Sequence, residues 1–274
     1  MSAKNKSKRQ LISTRRFVLI LLLIQKEQRF LLFICVAFFL AGALYTHSQI
    51  AMWLGFILAA YSAVANDSIQ TIGTFIASNG DKKWWVLWLF IGLVFLVTIT
   101  YSWVVFDGDV SYQRLTSKGF AEAPTSFNFL QVAAPLFLLV LTRLKIPVST
   151  TFLLLSSFAT SAQGLQGVLI KSLSGYVIAF VFAFITWMLL HKFLKKKFKD
   201  EPQPYWTIIQ WLITGFLWSL WIIQDAANLA VYLPRSLSLW QFLFFAGTIF
   251  FGLGLLFYLK GDKIQEIVEE KSEV

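Results

Sequence analysis

Long apolar runs separated by short polar connections set the pattern of this 274-residue chain. Hydropathy marks eight of them, at about 30–46, 50–78, 84–106, 127–143, 148–166, 172–191, 205–233 and 238–259. A helix needs about 20 mostly apolar residues to cross a bilayer. The pattern predicts an all-α, polytopic transmembrane helical bundle. A ninth run, 17–24, is too short to cross and has cations on both sides. It reads as an interfacial helix, since a secretory signal would need a small-residue cleavage site that the stretch lacks.

Boundary signals agree with this division. Pro124-Thr125-Ser126 and Ser236-Leu237-Ser238 place hydroxyl caps before apolar runs, and Gly261 follows the last one. Trp84, Trp85, Trp88, Trp206 and Trp240 fall near predicted ends, where an indole prefers the headgroup layer. Residues 260–274, with Ile264, Ile267 and Val268 among acids, read as a solvated extension of the last helix.

Composition sharpens the class. At 57% hydrophobic and 14% charged residues, the chain is excluded as a soluble enzyme, a nucleic-acid-binding domain or a disulfide scaffold. Cys35 is the only cysteine, so no internal disulfide can form. The net charge of +10 matters through its placement. Residues 1–29 hold eight Lys/Arg against Glu27, and the 192–199 loop adds five lysines. With an inside start, these blocks, Lys82 with Lys83, and Arg143 with Lys145 all fall inside, while the 107–126 loop falls outside. The expected location is the cell inner (plasma) membrane, multi-pass, with both termini cytoplasmic. The organisation is a basic arm at 1–29, a transmembrane domain at 30–259 and a cytoplasmic tail at 260–274.

Of the fourteen acids, twelve fall in termini or predicted loops; Asp67 and Asp225 do not. A carboxylate in the hydrocarbon region marks an ion, proton or substrate path, or else a structural hydrogen bond between helices. Asp67 sits in Asn66-Asp67-Ser68-Ile69-Gln70-Thr71, and Asp225 in Gln224-Asp225-Ala226-Ala227-Asn228. Each acid thus has an amide beside it and another three residues on, which places hard oxygens on adjoining turns. Where such a helix breaks, as Gly73 permits in the first copy, freed carbonyls can join them as Na⁺ ligands. The two copies lie on segments of opposite direction, the arrangement of an inverted-topology repeat with broken helices. Repeat 1 covers about 50–166, and a truncated repeat 2 covers about 205–259.

A third element is Pro147-Val148-Ser149-Thr150-Thr151, leading into the apolar run 152–158. Pro147 disfavours helix at Ile146, and the hydroxyls can cap the helix that follows. Such a start offers free N–H groups and a positive dipole end to an anion, although an ordinary N-cap has the same letters.

These residues together resemble the inorganic phosphate transporter family of cation-coupled symporters. The family's Gly-Ala-Asn-Asp-x-x-Asn-x-x-Gly-Thr motif is matched by Ala65-Asn66-Asp67 and Gly73-Thr74. Its Pro-x-Ser-Thr-Thr element is matched by residues 147–151, and its second Asn-Asp-x-x-Asn motif corresponds to residues 224–228. The resemblance spans roughly residues 50–235. It implies a phosphate or other small-oxyanion site formed by Ser149, Thr150, Thr151, Asn66 and Asn228. It also implies a cation site, for Na⁺ or H⁺, at Asp67, Asp225, Gln70, Gln224 and Thr71. The chain departs from the family at Gln70 and Gln224, which replace Asn, and at Phe152, where many members carry His. A second Ser-Thr-Thr element is absent. A differently coordinated substrate, completion of the site by a second copy or partner, or a non-transporting role would each account for that absence.

The remaining polar residues have plainer readings. Lys171 snorkels at a boundary or attracts anions to the pathway mouth. Ser156, Ser157, Thr160, Ser161, Gln163 and Gln166 make the fifth segment polar enough to be broken or re-entrant. His47, His191, Arg143 and Arg235 sit at span ends, the arginines as topology anchors. The Asp67 and Asp225 contexts lack the Tyr-Asp and Gly-x-Gly-Asp motifs of intramembrane aspartyl proteases, and no zinc cluster or nucleophile elbow is visible, so an enzyme is not expected. Two functions remain. One is a secondary transporter moving a small inorganic anion with Na⁺ or H⁺. The other is a non-transporting membrane subunit acting through a homodimer or membrane partner, its basic arm binding lipid.

Overall fold

The computed structural model describes residues 25, 27–144, 146, 148–159, 162–197 and 204–259. The basic arm up to residue 24, the interfacial helix at 17–24, and the tail lie outside them. Among the described residues the fold is all-helical, without strands. Helix α1 is Glu27–Leu44. Helices α2 (Ser48–Ala63) and α3 (Ile69–Ser78) form one rod joined by a π-helical turn, Val64–Ser68. Then follow α4 (Trp84–Val105), the short α5 (Arg114–Ser117), α6 (Phe129–Arg143), α7 (Thr150–Phe158), α8 (Ala162–Lys197), α9 (Pro204–Ala230) and α10 (Leu239–Tyr258).

Six helices among the described residues are long and apolar enough to cross a bilayer: α1, the α2 rod, α4, the 172–191 part of α8, α9 and α10. A helix satisfies its own backbone, which is why such sequences fold this way in lipid. The chain is a multi-pass membrane protein.

Contacts sort the helix ends into two groups. At one end Tyr45 meets Phe129, and Leu237 N–H donates to the Gly108 carbonyl at 2.9 Å. At the other, Glu27 pairs with Arg143 at 2.7 Å, Trp84 packs on Tyr258, and Asn79 accepts from Trp211 Nε1 at 3.0 Å. Since Asn79 follows the end of α3 and Trp211 lies near the start of α9, those two helices run antiparallel.

Aromatic packing fixes the interior. Phe56 on α2 stacks on Phe245 of α10, and Trp218 on α9 reaches the Ile91 carbonyl of α4 at 3.1 Å. Gly55 admits the Tyr232 ring, which a Cβ there would meet at 2.4 Å. That approach serves a second purpose. Pro135 inside α6 has no N–H for the Gln131 carbonyl four residues back, and the Tyr232 hydroxyl donates to it instead at 2.8 Å.

Arg235 is more than a topology anchor. Its guanidinium donates to the Ala230, Val231 and Leu233 carbonyls at the end of α9, and to the Phe120 and Glu122 carbonyls of the 107–128 connection. Burial pulls it down to about 10, so it remains charged at neutral pH. Arg143 likewise has a partner, Glu27.

The fifth segment is broken, as its polar residues suggested, and three other local expectations are corrected. In the fifth segment α7 ends at Phe158, and helix resumes at Ala162 as the start of α8. Ser156 and Ser157 hydroxyls donate to the Leu153 and Leu154 carbonyls, competing with the ladder, and Phe158 wedges edge-on against Tyr232 at 4.9 Å. Residues 192–197 are helix rather than loop, because a run of lysines is a good helix former with no breaker before Pro202. The rod is interrupted at Val64–Ser68, not at Gly73, which stays inside α3. The cap before α6 is Asn128, in a reciprocal capping box with Gln131, and not Thr125 or Ser126. Ser238 caps α10 in the same way with Gln241.

Candidate functional site

Between α6 and α7 the described residues Leu144, Ile146, Val148 and Ser149 are non-helical, Leu144 and Ile146 exposed and Val148 and Ser149 half-buried. Such backbone is tolerated at membrane depth only where protein or a wet cavity satisfies it. Asn66, fully buried in the π-helical turn, does so: its Nδ2 donates to the Val148 carbonyl at 3.3 Å. Its Oδ1 accepts from the Thr142 hydroxyl at 3.1 Å. The π turn thereby ties α2, α6 and the chain entering α7 together.

The other side of the same segment meets α9. Ser149 caps α7, its hydroxyl accepting from Phe152 N–H at 3.2 Å. Two residues on, the Thr151 hydroxyl donates to Asp225 Oδ1 at 3.0 Å. Asn228, also fully buried, donates from Nδ2 to Thr151 Oγ1 at 2.9 Å and to Asp225 Oδ1. Asp225 and Asn228 cooperate because a spacing of three puts them on one face of α9. Two buried oxygens here have no hydrogen-bond partner, Thr150 Oγ1 and Asn228 Oδ1.

A cavity of about 430 Å³ opens beside this network. Ser149, Thr151, Gln224 and Asp225 line it, together with Arg114 and Lys118 of α5 and Ser172 and Tyr176 of α8. Arg114 and Lys118 act on Asp225 coulombically. Among the described residues the wall carries two cations and one carboxylate, with hydroxyl and amide groups between them. Such a lining suits a hard oxyanion, and Asp225 with its neighbours offers oxygens to a cation.

The expected residues fall into three groups. Ser149, Thr151, Gln224 and Asp225 share the cavity, with Asn228 bonded to two of them. Asn66 reaches the same chain segment through Val148 but is not part of the lining. Thr150 is buried in the first turn of α7, and Thr71 is half-buried in α3. The side chains of Asp67 and Gln70 lie outside the description, as do Lys145, Pro147, and the side chains of Gln163 and Lys171.

Arg114 and Lys118 were not anticipated as site residues. Sequence reading counts them as minority cations in an acidic connection. The available signal was their separation of four, which sets two cations on one side of a helical turn. Among the described residues no group of three or more His, Cys, Asp or Glu converges in a way that could hold a metal.

Neither a family model, nor a curated protein, nor a solved structure matches this chain. The class rests on the fold itself: a multi-pass helical membrane protein with a polar cavity at an interrupted helix.

Proposed function

We propose that the protein is a secondary transporter, similar to cation-coupled phosphate symporters, that moves a small inorganic oxyanion with Na⁺ or H⁺ by alternating access. The observation that carries this reading is the polar cavity at the start of α7, where Thr151, Asp225 and Asn228 interlock inside an otherwise apolar bundle. Broken helices lining a midplane site are the usual construction of such carriers. In this reading residues 144–158, which include α7, make the fifth of eight crossings. The α2–α3 rod and α9 are the paired elements of an inverted repeat. Both termini are cytoplasmic in a plasma membrane, in keeping with the basic blocks. Ser149 would donate to the anion, Asp225 with Gln224 would hold the cation, and Thr151 and Asn228 would turn to the anion by exchanging the donor bonds they now make to Asp225 when the cation takes that carboxylate.

Radiolabelled phosphate and sulfate uptake into proteoliposomes, with and without Na⁺ and pH gradients, tests the proposal. Uptake by the native protein that falls at least tenfold in Asp225→Ala and Thr151→Ala is expected. Absence of uptake under every gradient would remove the reading.

One observation favours a second reading, a membrane subunit working through a homodimer or another membrane protein. The 172–191 stretch of α8 has none of its residues buried. A complex that survives mild detergent and is indifferent to Asp225→Ala would support that role instead.

A further inference from the structure

The 107–118 segment is held in a costly shape. The chain enters α5 through two successive left-handed residues, Tyr112 at φ 53° and Gln113 at φ 58°, after Asp107 at φ 50°. Tyr and Gln rarely adopt that conformation, so at Tyr112 and Gln113 the surroundings must impose it. They do so from several directions. The Tyr112 hydroxyl donates to the Thr98 carbonyl at 2.5 Å, and its N–H donates to Ser102 Oγ at 3.1 Å. The Asp109 carboxylate accepts from Ser111 and Gln113 N–H groups at 2.7 and 2.6 Å. Arg235 holds the far side at the Phe120 and Glu122 carbonyls.

What this frame presents is Arg114 and Lys118, both on the wall of the cavity that contains Thr151 and Asp225. The Arg114 guanidinium is half-buried, and its Nε is fully buried without a hydrogen-bond partner. Among the described residues no ion pair or side-chain hydrogen bond engages it. A guanidinium carries five donors in a planar fork matched to two oxygens of one anion, so an arginine braced against a polar cavity with its donors unused is equipped for ligand. Lys118, one turn away, adds a second positive charge to the same wall.

We propose that Arg114, assisted by Lys118, is a substrate-binding residue that selects a tetrahedral oxyanion at the mouth of the Thr151–Asp225 cavity. This rests on the transporter reading and extends it, because neither residue belongs to the motifs that suggested transport. Recognition is bidentate from Arg114 and coulombic from Lys118. The Ser149 hydroxyl, which accepts from Phe152 N–H and keeps its own proton, donates to an inner oxygen.

The test is equilibrium binding of radiolabelled inorganic phosphate, and of radiolabelled sulfate, to the full chain in lipid nanodiscs, with thermal unfolding as a check on folding. Loss of a charge-assisted, bidentate contact corresponds to a fall in affinity of about tenfold or more. Arg114→Gln is expected to show that fall without a change in melting temperature. Arg114→Lys should recover part of it, and Lys118→Gln should weaken binding to a smaller degree. Native affinity in both Arg114→Gln and Lys118→Gln, alongside a loss in Thr151→Ala, would overturn this inference and leave the transporter reading intact. Weakening in Arg114→Gln and Arg114→Lys alike, with a lowered melting temperature in both, would also overturn it by assigning Arg114 a structural role. Failure of the native chain to bind either radiolabelled phosphate or radiolabelled sulfate would remove both proposals.

Discussion

The two amide–acid motifs use nearly the same letters and do different work. In Asn66-Asp67-x-x-Gln70 the backbone widens into a π turn, and the Asn is spent on one backbone carbonyl, Val148, and one hydroxyl, Thr142. In Gln224-Asp225-x-x-Asn228 the helix stays regular, and the Asn is spent on side chains, joining Thr151 to Asp225. The Asn leads the first motif and ends the second. On antiparallel helices that reversal brings both amides to one segment, Val148–Thr151, from opposite sides. One motif fixes where the segment lies, and the other supplies the polar wall of the cavity.

The largest effect on this arrangement should come from Arg235→Ala. It strands the carbonyls at the end of the helix that carries the second motif, and should destabilise the protein by about 3 kcal/mol, read by thermal unfolding in detergent. The described contacts of Arg235 do not include the first motif, which should survive this change less perturbed than the second. Asn66→Ala ranks next. It leaves the Val148 carbonyl and the Thr142 hydroxyl unpaired inside the bundle, at a cost of roughly 1–2 kcal/mol, and should abolish uptake by releasing the α7 start. Asn228→Ala should cost less, roughly 0.6 kcal/mol, since Thr151 still donates to Asp225, and should weaken phosphate binding with little loss of stability. Gln224→Ala should be the mildest, within about 0.5 kcal/mol in stability, because this side chain is exposed at the cavity wall. Equal destabilisation by Asn66→Ala and Gln224→Ala would erase the distinction between a buried tether and a cavity wall.

Much of this architecture was legible in the chain. Apolar run length announced the spanning helices, because a bilayer imposes one length on all of them. Asp225 stood out because a carboxylate in an apolar run is costly without partners, and the bonds it makes to Asn228 and Thr151 are such partners. Other features depend on tertiary contacts that local patterns do not encode. The π turn displaced the expected break from Gly73 to Val64–Ser68, where Asn66 is bonded to Val148 and Thr142. The end of α7 is set by serine back-bonding and by Phe158 meeting Tyr232, a residue 74 positions away. Arg114 and Lys118 reach the cavity through a loop whose left-handed residues no propensity would predict.

The most direct test is an experimental density map of the protein prepared with phosphate and Na⁺. It should place Val148–Thr151 between Asn66 and Asn228, with Thr151 against Asp225 and anion density between Thr151 and Arg114. Residues 144–158 forming one continuous helix, with Thr151 turned to lipid and Asp225 bonded elsewhere, would contradict the account.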